Sequence, residues 1–220
     1  MDMDFIFDTA CPWCYIGKRR LTQALAERPA IRPRFRWRPF LLNPDMPKGG
    51  MDRRQYLERK FGGPRRAQRM LEAAESAGRL VGIPFHFNRI ERTPNTVDSH
   101  RLLRLGEDQD QRANLLDSIF EAYFVNGQDI GDREVLVDIA GRNGLDAAAV
   151  RRSLAGATDL AEVSAENNRA HTIGMSGVPG FIFNGRFAIA GAQEPAIFLR
   201  MLDLSLESQV PQPVTDTGPV

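Results

Sequence analysis

Apolar and polar residues alternate along the chain in three regimes. The first begins with "MDFIFD", a short apolar and aromatic run that predicts a buried strand over residues 3–8. Cys14, Gly17, Leu21, Ala24 and Leu25 then recur at helical spacing, so a helix is expected from Cys11 to about Glu27, with Pro29 and Pro33 bracketing the turn after it. "RFRWRPFLL" alternates Arg34, Arg36 and Arg38 with Phe35 and Trp37, a period-2 strand with one polar face. The opening therefore reads β-α-β, the order of a parallel pair joined by a crossover helix.

From about Gly50 to Gly174 the period becomes helical. A helix is expected to begin near Thr96 in "PNTVDSHRLLRL", after Asn95. Leu115, Ile119, Tyr123 and Phe124 share one helical face, and Gly127 follows as a stop. Asp132 is placed to cap a helix through Val135, Leu136 and Ile139, and Asp146 another through Val150 and Leu154 to Gly156; Leu160, Val163 and Asn167 continue the pattern. The third regime returns to strands. "FIF" and "FAIA" flank Asn184-Gly185, a strong short hairpin signal. "EPAIFLRMLDLSL" then predicts a closing helix with Ile197, Leu202 and Leu206 inward, and the Pro-rich residues 208–220 read as a disordered tail.

Composition narrows the function. Of the 220 residues, 42% are hydrophobic and 26% charged, enough for a core without metal or disulfide support. Twenty-nine Lys and Arg balance 28 Asp and Glu, so the net charge of +1 exerts no general attraction for nucleic acid or an anionic membrane. "RKFGGPRRAQRM" is basic, but Glu58, Glu72 and Glu75 flank it and suit a solvated helix face. No apolar run reaches the ~20 residues of a membrane span, and the acidic start "MDMD" is unlike a signal peptide, so a cytoplasmic protein is expected.

Both cysteines of the chain lie in "CPWC", residues 11–14. A disulfide closing so small a loop constrains the unfolded chain little, which favours chemistry over a structural staple. Pro12 suits the first helical position and makes Cys11 the N-cap. There its sulfur would face the free N–H groups of Trp13 and Cys14 at the positive end of the helix, which favours the thiolate. Cys14, three residues on, shares the face of Cys11 and sits deeper. Cys11 is thus the expected nucleophile and more exposed sulfur, and Cys14 the resolving thiol. A zinc half-site is the competing reading, but there is no second cysteine pair, and His86, His100 and His171 form no close pair, so no metal is expected.

The stretches "CPWCYIGKRRL", "WRPFLLNPDMP", "RTPNTVDSHRLL", "EAYFVNGQDIGD" and "SGVPGFIFNGRFAIAGAQEP" together resemble the DsbA-like thiol oxidoreductases of the FrnE type. That family is related to 2-hydroxychromene-2-carboxylate isomerases and kappa-class glutathione transferases. The resemblance implies an α/β fold, a thioredoxin domain with a large inserted all-helical domain. The thioredoxin part would comprise residues 1–48 and 175–207, and the insert 49–174. It also implies that Pro179 is a cis proline facing the cysteines and that Val178 offers its backbone to an extended substrate. Trp13 and Pro12 would shape the rim. His100 and Asn95 are candidate substrate contacts, and the turn Gly191-Ala192-Gln193 a candidate for a thiol ligand. Relatives acting as isomerases or transferases typically carry serine at position 11, so two cysteines favour dithiol–disulfide exchange with protein or small-thiol substrates. No bound cofactor is implied beyond the redox-active disulfide, with glutathione a candidate co-substrate. The alternatives are a glutathione-dependent isomerase or transferase, and a peptide-binding chaperone.

Overall fold

The computed structural model describes residues 1–207, and the tail expected over 208–220 lies outside them. Strand β1 (Asp2–Phe7) leads through a tight loop into helix α1 (Pro12–Ala26), and β2 (Arg34–Pro39) follows. A short strand β3 (Met51–Asp52) opens a helical stretch: α2 (Arg53–Phe61), α3 (Pro64–Leu80), a 3-10 turn at Phe87–Arg89, a short strand β4 (Arg92–Thr93), then α4 (Val97–Arg104), α5 (Gln109–Phe124), α6 (Arg133–Arg142), α7 (Ala147–Ala155) and α8 (Leu160–Thr172). The chain closes with β5 (Gly180–Phe183), β6 (Phe187–Ala190) and α9 (Pro195–Glu207).

The main sheet runs β2-β1-β5-β6. β1 pairs parallel with β2 and antiparallel with β5, so the first and last segments of the chain meet at the centre of one sheet. Side chains alternate across it, as the strand period requires. Met3, Phe5, Phe7, Phe181 and Phe183 join the large core with α1 and α9, whereas Ile6 and Ile182 pack with Phe40 and with Ala170 of α8. Phe5 stacks on both Phe7 and Phe181 with ring centroids 4.8 Å apart, and Phe198 of α9 meets Phe181 edge-on. Asn184 and Gly185 both take positive φ, 51° and 68°, in a tight turn closed by the Arg186 N–H on the Phe183 carbonyl at 3.0 Å, and Phe183 pairs with Phe187 across the three-residue connection.

Helix α1 is the joint between the sheet and the helices that lie between β3 and β5. Tyr15 leaves its other face and stacks on Phe120 of α5 at 5.0 Å. The expected caps are present: Asp132 accepts from the Glu134 N–H and Asp146 from the Ala148 N–H. Arg101 of α4 is buried and donates to Asp98 and to the carbonyls of Ser153, Leu154, Gly156 and Thr158, so its charge is spent on the C-terminal end of α7.

Two expectations change, and one element is new. The inward face of α9 is Phe198, Leu202 and Ser205, while Ile197 and Leu206 are each 40% exposed. Phe198, Leu202 and Ser205 form a steeper i, i+4, i+7 stripe, and the aromatic ring wins the interior. Leu160 likewise points outward at 41% exposure. The β3–β4 pair has no counterpart in the sequence reading, because two-residue strands leave no period to detect.

Candidate active site

The loop from β1 to α1 carries the site. The Asp8 carbonyl accepts from the Cys11 N–H at 3.1 Å, and Cys11 takes extended backbone angles (φ −98°, ψ 114°) before Pro12 starts the helix. Cys11 is the N-cap as expected, but its side chain makes no capping hydrogen bond. The Cys11 carbonyl takes the Cys14 N–H at 3.0 Å, and the sulfur swings across the chain to the Val178 carbonyl, 3.8 Å away. A neutral thiol is a donor seeking an acceptor, which a row of helix N–H groups cannot supply.

Both sulfurs are free thiols, and both are buried: Cys11 is 4% exposed and Cys14 0%. They differ in exposure in the expected order, by less than expected. Burial pushes the Cys14 thiol well up, with Cys11 beside it adding to the effect and the Asp8 backbone N–H opposing it. Cys14 is therefore held as a protonated thiol at neutral pH.

The Val178–Pro179 peptide is cis, and the Val178 carbonyl at its start is the acceptor that the Cys11 sulfur meets. Gly17, one turn into α1, makes room for Pro179. A Cβ at Gly17 would lie 3.1 Å from the Pro179 ring and 3.1 Å from Phe181. The Pro179 carbonyl accepts from the Gly191 N–H at 2.7 Å, and Arg20, buried in α1, donates to the Ala192 carbonyl and pairs with Glu194 at 2.6 Å. The candidate thiol-ligand turn is thus tied to both the proline and α1. Trp13, Pro12 and Val178 are half-buried around the cysteines.

His100 and Asn95 stand elsewhere. Asn95 spends its side chain on the backbone: its amide donates to the Met46 carbonyl at 2.7 Å, and its oxygen accepts from the Val97 N–H at 3.0 Å. It starts α4, a task the sequence assigned to Asn95 and Thr96; Thr96 makes no side-chain cap bond. His100 is 1% exposed and neither on the helix surface nor satisfied: both ring nitrogens lack a hydrogen-bond partner. Its Nε2 lies 3.8 Å from Oδ1 of Asp8, and its ring packs on Phe7.

Asp8 is the residue that periodicity missed. It is 1% exposed, and its carboxylate accepts from the backbone N–H groups of Ala10 (3.1 Å) and Leu42 (2.7 Å). Beside it, the buried hydroxyls of Thr9 and Ser99 share a 2.7 Å hydrogen bond. A carboxylate directly after a buried apolar strand is the signal that could have marked it. Among the described residues, no group of three or more Cys, His, Asp or Glu is disposed to hold a metal ion.

The model of the DSBA-like thioredoxin domain matches residues 2–203. The chain belongs to that family. Among solved structures, this DSBA-like chain is 30% identical to a probable DsbA oxidoreductase from Streptomyces coelicolor, with a TM-score of 0.86 over 100% of this chain and 97% of the other. The cytosolic disulfide reductase DsbM from Pseudomonas aeruginosa, in a structure with GSH, is 21% identical with a TM-score of 0.65 over 94% of this chain and 100% of its own. A 2-hydroxychromene-2-carboxylate isomerase is 19% identical with a TM-score of 0.67, over 94% and 95% of the two chains. A DSBA-like thioredoxin fold with an isomerase among its structural neighbours is the relationship that the sequence implied.

Proposed function

We propose that this DsbA-like protein is a cytoplasmic dithiol–disulfide oxidoreductase whose redox pair is Cys11 and Cys14. The observation that carries the reading is the asymmetry of the pair: Cys14 is fully enclosed and its thiol raised, while Cys11 is the less buried sulfur, beside Val178 at the mouth of the turn. In the reductive direction the Cys11 thiolate attacks one sulfur of a substrate disulfide. A Cys11–substrate disulfide forms, and the other substrate sulfur leaves as thiolate with the electron pair of the broken bond. Cys14 then loses its proton and attacks Cys11, releasing the second substrate thiolate and leaving the Cys11–Cys14 disulfide. The reverse sequence oxidises a dithiol. The half-buried rim of Pro12, Trp13 and Val178, with the buried Pro179 next in the chain, is the surface along which an extended substrate would lie. Proteins with exposed disulfides or dithiols, and small thiols, are the substrate class. Glutathione is a reasonable co-substrate, a reading supported by the structure of DsbM with GSH.

The division of labour is tested by trapping. Cys14→Ser should accumulate mixed disulfides, visible on non-reducing gels after acid quenching, because attack proceeds and resolution is blocked. Cys11→Ser should accumulate none. Equal trapping by both variants rejects these roles. No trapping by either, with turnover of glutathione and an aromatic substrate intact, would favour isomerase or transferase chemistry.

A further inference from the structure

Cys14 is enclosed, yet the resolving step requires it to lose a proton. The Cys11 side offers no exit while substrate is attached there. The interior does. The Asp8 backbone N–H faces the Cys14 sulfur, and the Asp8 carboxylate is near enough to disfavour the Cys14 thiolate electrostatically. Behind Asp8 stands His100, 3.8 Å away, with no partner on either ring nitrogen. A buried imidazole without a hydrogen bond is costly and rare in a folded protein. His100 also lines a cavity of about 150 Å³ together with Phe7, Trp37, Arg104, Arg112 and Asp159, among others. Arg104 in its lining is exposed, and the buried Trp37 indole N–H is a further unpartnered polar atom in its wall. A polar cavity of that size holds several water molecules.

We propose that His100 is a proton relay for the resolving cysteine, carrying protons between the Asp8 carboxylate and the polar cavity at Trp37 and Arg104. The inference rests on the Cys11–Cys14 redox reading. In the resolving step the Cys14 proton passes to Asp8, from Asp8 to His100 Nε2, and from Nδ1 into the cavity. The Cys14 sulfur forms its bond to Cys11, the Cys11–substrate bond breaks, and the departing thiolate carries the electron pair and takes a proton from solvent. The 3.8 Å gap is longer than a hydrogen bond, so transfer takes place when it closes by about 1 Å or through one water. The charged and titratable groups facing His100 are Asp8 after β1, Arg104 on α4, Arg112 on α5 and Asp159 before α8. Arg104 and Asp159 pair at 2.8 Å, and Arg112 donates to the Gly106 carbonyl, so these groups are mutually occupied and leave the imidazole as the mobile proton carrier.

The test is stopped-flow oxidation of the reduced protein by saturating oxidised glutathione, where resolution limits the rate. His100→Gln should slow the plateau rate at least about 10²-fold, the low end for general acid–base effects. His100→Gly should be slowed similarly and recover on adding imidazole. The equilibrium with glutathione should be unchanged in both, since a relay moves the proton without favouring either redox state; a purely structural role would shift it and resist rescue. An unslowed His100→Gln overturns the proposal, as does a His100→Gly variant that imidazole fails to restore. If the unsubstituted protein forms no Cys11–Cys14 disulfide at all, the redox reading falls and takes the relay with it.

Discussion

The two ends of strand β1 treat their aspartates in opposite ways. At the start, on the α8 side of the sheet, Asp2 and Asp4 face the arginines of β2 in parallel register. Arg34 grips Asp2 with two bonds of 2.9 and 2.7 Å, Arg36 and Arg38 donate to Asp4, and Arg38 reaches on to Glu166. At the end, Asp8 is fully buried, takes only two backbone N–H groups, and leaves an imidazole unbonded nearby. The first arrangement has every charge answered and serves the fold. The second leaves polar groups open next to a protonated thiol, a local cost that the rest of the core must carry. On the proposed redox reading, stability and chemistry are thus separated along one six-residue strand and its following loop.

Substitutions at the two ends should separate the same way. Cys11→Ser is expected to abolish disulfide exchange, a loss of about 10³-fold or more given the dependence of exchange on an attacking thiolate, while Arg34→Ala retains it; comparable loss in both would erase the distinction. Asp8→Ala strands two backbone N–H groups and should cost about 2–4 kcal/mol of unfolding free energy, measured by denaturant titration. Asp4→Ala should cost about 1–3 kcal/mol by leaving Arg36 and Arg38 short of an acceptor, with exchange by the folded protein unaffected. Gly17→Val sharpens the site end. Its Cβ would lie 3.1 Å from Pro179 and Phe181, with the two methyls adding to the crowding, and a loss of about 1–3 kcal/mol is expected.

The smallest effect lies at the exposed pairs. Asp2, Glu134 and Asp203 are each held below the ordinary carboxylate value, mainly by hydrogen bonds from Arg34, Arg151 and Arg28. A carboxylate depressed in the folded state stabilises above its unfolded value near pH 4, and that contribution disappears as pH falls through the folded value. Acid titration should therefore show a shallow, salt-sensitive decline in stability below about pH 4, reduced in Arg34→Ala.

Much of this was legible in the sequence for definite reasons. Strand and helix periods were long enough to read in β1, α1, β2 and α5, Asn184-Gly185 announced the hairpin, and Asp132 and Asp146 announced two helix starts. CPWC marked the site because two cysteines so near a strand end have few other uses. What stayed hidden depends on contacts far apart in sequence. Nothing local says that Asp8 will be buried against α4, that His100 will lack a partner, or that Gly17 must be small because Pro179 arrives from the other end of the chain. The capping role expected of the Cys11 sulfur failed for the same reason, since the acceptor that drew it away is the carbonyl of Val178.

The central claim is that Cys11 and Cys14 form a reversible redox pair. Equilibrating the protein in glutathione buffers of graded ratio, quenching with acid and weighing the intact chain tests it directly. The account predicts a single cooperative loss of about 2 Da as the buffer becomes oxidising, reversed on reduction and absent in Cys11→Ser and in Cys14→Ser. A chain that keeps both thiols throughout, or that gains only a stable glutathione adduct with Cys14 intact, would contradict it.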